Sequence, residues 1–107
     1  LYVISSEVNP VVKRRCEKLK INCLNSIENK GSIIKSILKS KLLKKENAAF
    51  LGNDINDIQA FQNVSLTIGV NDRNPLIDDY ISYVTHKSGG NGAVREVCDK
   101  IISLMGI

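Results

Sequence analysis

The chain has 107 residues, of which 43% are hydrophobic, 24% charged and 5% aromatic, with two Pro and seven Gly. Those proportions suit one globular domain and exclude a disordered chain, a collagen-like repeat and a disulfide scaffold. The net charge is +4, yet residues 1–50 carry 11 Lys and Arg against 4 Asp and Glu, while residues 51–107 carry 4 against 7.

Short apolar runs alternate with helical periodicity along the chain. Leu1–Ser5 reads as a strand that stops at polar Ser5-Ser6-Glu7. It begins in mid-strand and without Met, which predicts a piece of something longer. Asn9-Pro10 is a helix start, with Asn as cap and Pro in the first turn. Val12, Cys16 and Leu19 mark one face of that helix. Ile21–Leu24 is a second short strand. The following helix is long and amphipathic, with Ile33, Ile34, Ile37, Leu38 and Leu42 on its buried side.

Ala48–Leu51 reads as a third strand broken by Gly52, and 54–61 as a short helix. Leu66–Val70 is a fourth strand, after which Asn74-Pro75 opens another helical turn. Ser82–Thr85 is a fifth strand. The Gly-rich stretch Ser88–Gly92 leads into a last helix with Val94, Val97, Cys98, Ile101, Ile102 and Met105 spaced by threes and fours. Strands alternating with helices predict βαβ units, right-handed crossovers and one parallel sheet over residues 1–107.

Several function classes find little support. No apolar run approaches the roughly 18 residues of a membrane span, and the N-terminus lacks the basic flank of a signal peptide. The basic residues fall largely at helical spacing, and no aromatics interleave with them, so neither nucleic acid nor membrane is an expected partner. Cys16, Cys23 and Cys98 include no Cys-x-x-Cys pair and have no nearby His. A zinc site does not follow; Cys16 and Cys98 read as reduced core thiols of a cytoplasmic protein. His86, with no Cys or carboxylate beside it, reads as a loop residue.

Ligands of parallel sheets bind beyond the carboxyl ends of the strands. That rule selects Ser5-Ser6-Glu7, the approach to Lys30, and Gly52-Asn53-Asp54-Ile55-Asn56-Asp57. A hydroxyl, an ammonium and a carboxylate cluster suit a phosphate with Mg²⁺. Each piece also has a plainer reading. Lys30 precedes a helix already rich in lysine, and the 52–57 loop resembles a strand-to-helix turn capped by Asn and Asp. Four polar side chains in five positions exceed what a cap requires.

In this order, a strand ending in Ser5, Lys30 before a helix, and the Gly-Asn-Asp-x-Asn-Asp loop resemble the second, third and fourth motifs of the haloacid dehalogenase superfamily. The segments 49–57 and Gly89-Gly90-Asn91-Gly92-Ala93-Val94-Arg95-Glu96-Val97-Cys98-Asp99 are similar to its 3-deoxy-manno-octulosonate-8-phosphate phosphatase group. That group includes the phosphatase-like domain fused behind bacterial acylneuraminate cytidylyltransferases.

The resemblance implies a Rossmann-like α/β fold with helices on both faces of the sheet. It also implies a Mg²⁺-dependent phosphatase of sugar-acid phosphates, such as a sialic-acid 9-phosphate or 3-deoxy-octulosonate 8-phosphate. Ser5 would bond the phosphoryl group and Lys30 would balance its charge. Asn53 and Asp57, with Asp54 between them, would lie at the metal. Ser6 and Glu7 would face the sugar, and Arg15 and Lys18 would help bind its carboxylate, across a subunit interface. A homotetramer is implied, closed over its sites by the Gly-rich tail.

Two departures stand out. Asn53 replaces the aspartate usual at the metal, as in the synthetase-fused branch, whose domain need not be active. The first motif, Asp-x-Asp on a central strand between those ending at Ser5 and Leu51, is absent, so residues 1–107 read as the C-terminal part of the domain. Without that strand two sheet edges face an unpaired gap, and the chain alone is expected to be neither stable nor catalytic. The rival reading is an inactive phosphatase-like domain that oligomerises a cytidylyltransferase; a receiver-like binding module is a third.

Overall fold

The computed structural model describes residues 2–4, 10–24 and 27–106, with only the backbone of 10–13 and 15. Strands β1 (Tyr2–Ile4), β2 (Asn22–Leu24), β3 (Ala49–Gly52), β4 (Leu66–Gly69) and β5 (Tyr83–Val84) alternate with helices α1 (Pro10–Leu19), α2 (Lys30–Ser40), α3 (Ile58–Phe61) and α4 (Ala93–Met105). Three short 3₁₀ turns, Lys45–Asn47, Ile55–Asp57 and Pro75–Tyr80, join them. The expected helix over 54–61 is thus a 3₁₀ turn that relaxes into one turn of α-helix.

Every strand pair is parallel, as the alternation predicts, but the strands make two sheets, β2–β1 and β3–β4–β5. The two sheets run the same way. Ile4, at the end of β1, and Gly52, at the end of β3, line one cleft. At the other end Lys41, just beyond α2, places its Nζ 5.8 Å from the ring centroid of Tyr2 at the start of β1.

Side chains alternate across each strand, so the residues that face each helix identify the two layers. Phe50 of β3 packs with Ile4, Ile33, Leu38 and Ala48 against a buried cluster of Ile34 from α2, Ala60 from α3 and Val64 just beyond α3. Phe61 meets Phe50 edge-on, with ring centroids 5.6 Å apart. On β4, Leu66 and Ile68 line an apolar crevice together with Val97, Ile101 and Leu104 of α4. Leu66 pairs with Ala49 and Ile68 with Leu51, the opposite parity to Phe50. Helices therefore cover both faces of the sheet, as a parallel sheet requires.

Capping chemistry sets the helix starts. Asn29 accepts the Ser32 N–H at 3.0 Å to open α2, and Asn74 accepts the Leu76 N–H at 3.0 Å ahead of Pro75. α2 can lie close to α3 because residue 31 is glycine: a Cβ there would fall 2.9 Å from the Asn63 Nδ2 and the Gln59 carbonyl.

The apolar periodicity overreaches in three places. Leu42 is 94% exposed and has φ +56, because α2 ends at Ser40 and the chain turns away before the next apolar position arrives. Leu19, expected to face inward with Cys16, is exposed at the end of α1. On α4 only Val97 of the predicted face is buried; Val94, Ile102 and Met105 are exposed, since Ala93, Val97 and Ile101 form the stripe that meets the sheet. Asn9, the expected cap of α1, lies outside the described residues. Cys16 and Cys98 are free thiols, Cys16 buried and Cys98 partly so. Among the described residues no helix is long and apolar enough to cross a membrane.

Candidate functional site

The carboxyl ends of β1 and β3 and the first turn of α2 meet around a cleft of about 370 Å³. Ile4, Lys30, Phe50, Leu51, Gly52, Asn53, Asp57, Val70, Asp72 and Gly89 line it. Lys30 and Asp57, 27 residues apart, are brought together: Lys30 Nζ donates to Asp57 Oδ1 at 2.7 Å, and both side chains are almost fully buried. Burying either charge alone costs several kcal/mol, so each is the condition for the other.

The second oxygen of Asp57 shapes the loop before it. Its Oδ2 accepts the N–H of Asn53 at 2.8 Å and of Asp54 at 3.2 Å, which folds 53–57 into a tight turn under the cleft. Gly52 makes the turn possible. A Cβ at 52 would lie 2.8 Å from Asp57 Oδ2 and 2.9 Å from its Cβ and Cγ. The carboxylate occupies the space a side chain would fill.

Asp54 points elsewhere. Its Oδ1 accepts the Ile55 N–H at 2.7 Å and the Asn74 amide at 3.1 Å, and Asn74 N–H donates to the Asn53 carbonyl at 2.8 Å. Asn74 thereby staples the loop after β4 to the loop after β3, and Asp54 serves that staple rather than lining the cleft.

Of the residues the sequence singles out, Lys30, Asn53 and Asp57 share the cleft. Ser5, Ser6 and Glu7 lie outside the described residues. Arg15 lies on α1, and its side chain also lies outside them. Lys18 is exposed in the last turn of α1, just before β2 begins, and so at the end of the sheet opposite the cleft.

Among the described residues no three His, Cys, Asp or Glu side chains approach closely enough to hold a metal ion. Asn53, Asp57 and Asp72 are the oxygen-bearing side chains among the described residues of the cleft, against the roughly six oxygens that Mg²⁺ takes. The described residues therefore fit part of a magnesium site and need further carboxylates to complete one.

Sequence reasoning passed over Asp72, whereas Gly89 belongs to the Gly-rich stretch it singled out. Asp72 follows the end of β4, so the strand-end rule that selected 52–57 also reaches it. The structure further explains Glu96 of the Gly-rich motif. Its carboxylate accepts the N–H groups of His86 and Lys87, each at 2.9 Å, and the Tyr83 hydroxyl at 3.0 Å. The His86 N–H above all holds the Glu96 carboxyl below the usual carboxylate range, and the hydrogen bond that the Tyr83 hydroxyl donates to Glu96 raises the pKa of that hydroxyl in turn.

Comparison with known proteins follows the same lines. The family described as haloacid dehalogenase-like hydrolase matches residues 13–97. The 3-deoxy-D-manno-octulosonate 8-phosphate phosphatase KdsC of Salmonella typhi is 34% identical over 105 residues, which cover 97% of this chain and 56% of that protein. The Escherichia coli KdsC is 36% identical with the same coverage. The chain thus spans little more than half the length of the curated relatives it matches. A 3-deoxy-D-manno-octulosonate 8-phosphate phosphatase from Moraxella catarrhalis, solved with a magnesium ion, a phosphate ion and KDO, superposes with a TM-score of 0.89 at 29% identity. That match covers 96% of this chain and 60% of the other. The cobalt-bound deoxy-D-mannose-octulosonate 8-phosphate phosphatase of Haemophilus influenzae gives 0.91 at 26%, covering 98% and 62%.

Proposed function

The chain belongs to the haloacid dehalogenase-like hydrolase family, and on that premise we propose that it forms part of a phosphatase domain for sugar-acid phosphates, 3-deoxy-octulosonate 8-phosphate or a sialic-acid 9-phosphate. The observation that carries this reading is the buried Lys30–Asp57 pair at the floor of a cleft where strands end. Lys30 sits where it can balance the charge of a bound phosphoryl group, and Asp57 holds it there. Ser5 bonds the same group, and Ser6 and Glu7 face the sugar. Arg15 and Lys18 reach the substrate carboxylate of a neighbouring subunit in a homotetramer, a role that suits the place of Lys18 away from its own cleft.

The nucleophile is an aspartate on a strand lying between β1 and β3. Its carboxylate oxygen attacks phosphorus, the sugar hydroxyl leaves with a proton, and water then releases the phosphate. Support for that strand comes from the sheet itself: β1 and β3 each end a sheet, run the same way and border the same cleft. Mg²⁺, when bound by Asn53, Asp57 and carboxylates beyond the described residues, supplies charge neutralisation to the phosphoryl oxygens. Asp54 keeps the loop in shape. The setting is cytoplasmic.

One observation favours a second reading. Asn53 is neutral, and the described residues assemble no metal cluster, which suits an inactive domain that oligomerises an attached cytidylyltransferase. Phosphate release from the two sugar-acid phosphates, with and without Mg²⁺, separates the readings. Saturable Mg²⁺-dependent turnover by the native polypeptide, lost in Lys30→Met, supports the phosphatase. No turnover, with subunits that dissociate when the domain is removed, supports the scaffold.

A further inference from the structure

Two carboxylates tie the Gly-rich loop to the body of the domain, and neither belongs to the floor of the cleft. Glu96 grips one end through His86, Lys87 and Tyr83. Asp72 grips the other: its Oδ1 accepts the Gly89 N–H at 2.9 Å. Between them Thr85, fully buried, accepts the Asn71 N–H at 3.1 Å and donates to the Lys87 carbonyl at 2.6 Å.

Beyond Lys87 little packing supports the loop. A Cβ at Gly89 would meet only Asp72 Oδ1 at 3.6 Å and Val70 at 3.9 Å, and a Cβ at Gly90 would meet nothing within 4 Å. Gly90 and Gly92 have positive φ, so the backbone there is one that most side chains resist. With few side-chain contacts, the place of Gly89 is set chiefly by the hydrogen bond to Asp72. Gly89 and Asp72 both line the cleft, so that bond fixes one wall of it.

We infer that Asp72 is a positioning residue for substrate selection: by holding Gly89 it sets the cleft wall against which the sugar-acid portion of the ligand lies, while the Lys30–Asp57 floor receives the phosphate. This rests on the phosphatase reading above and adds to it the division of the cleft between two parts of the ligand. Asp72 acts through the loop and need not touch the ligand. Asparagine keeps an acceptor oxygen at the same place, so Asp72→Asn preserves the hold and Asp72→Ala removes it.

The test follows amide exchange at Gly89 and ligand-induced amide shifts at Gly52 and Asn53, in the isotope-labelled native polypeptide and in its two variants. In Asp72→Ala, Gly89 exchange accelerates about tenfold and affinity for 3-deoxy-octulosonate 8-phosphate falls several-fold, while affinity for inorganic phosphate holds. Asp72→Asn restores both. Unchanged Gly89 exchange in Asp72→Ala overturns the inference, because the bond then fixes nothing. Equal losses for both ligands overturn it as well, because the wall then does not discriminate. If neither ligand shifts the amides of the unaltered native polypeptide, the phosphatase reading fails and the selection role falls with it; the exchange of Gly89 reports separately on the hold itself.

Discussion

The two sheets are made of similar residues and differ in what surrounds them. Ile68 and Gly69 of β4 and Gly52 of β3 are buried, as are Phe61, Val64, Val70 and Ile77 in the segments beside them. No residue of β1 or β2 is buried to that degree, and Asn22 is exposed. A two-stranded parallel sheet is marginal in water and needs cover on both faces and a neighbour at its edge. β1 and β2 lean on the rest through Ile4, which joins the α2–α3 cluster. The contrast teaches that parallel strands take their stability from position in the sheet more than from composition.

The largest effects should fall in the better buried sheet. Asp57→Ala leaves the Lys30 ammonium buried without a partner and should lower stability by about 4 kcal/mol in urea unfolding. Ile77→Ala, at a side chain with no exposure, should cost about 3 kcal/mol. In the other sheet, Val3→Ala should cost no more than about 1 kcal/mol, since Val3 is only half-buried. Similar losses for Ile77→Ala and Val3→Ala would erase the contrast.

The edge of the better buried sheet offers a comparison by pH. Folding lowers the Glu96 pKa from its usual 4.5, so the folded chain binds this proton less readily than the unfolded one. The resulting stability is complete above the usual carboxylate range and is lost as the pH falls through the lowered folded pKa. Glu96→Gln should therefore flatten the acid limb of a stability–pH curve, and an unchanged limb would deny Glu96 its hold on β5. The smallest effect has the opposite sign. Leu42→Gly relieves a left-handed backbone at an exposed site and should stabilise by about 0.5 kcal/mol in thermal unfolding.

How much was legible in the sequence depends on the range of the interaction. Local chemistry was plain: Asn74-Pro75 announces its helical turn, and the run 66–70 gives β4 to within one residue. Lys30 and Asp57 were found separately by the strand-end rule, although nothing in the chain couples two residues 27 apart. Leu42 misled because periodicity carries no information about where a helix stops. Asp54 and Asp72 are hard to read for a different reason. Their hydrogen bonds reach Asn74, 20 residues on, and Gly89, 17 residues on. An aspartate in a loop looks the same whether it lines a cleft, staples a turn or holds a backbone amide.

The Lys30–Asp57 pair also constrains the order in which the molecule can assemble. Neither charge can leave water alone, so α2 cannot dock its first turn until the loop after β3 has closed on itself around Asp57. That closure in turn draws on the empty space beside Gly52. The start of one helix and a turn far along the chain are thus bound into a single cooperative step, and a chain that mislays either must leave the other unfinished.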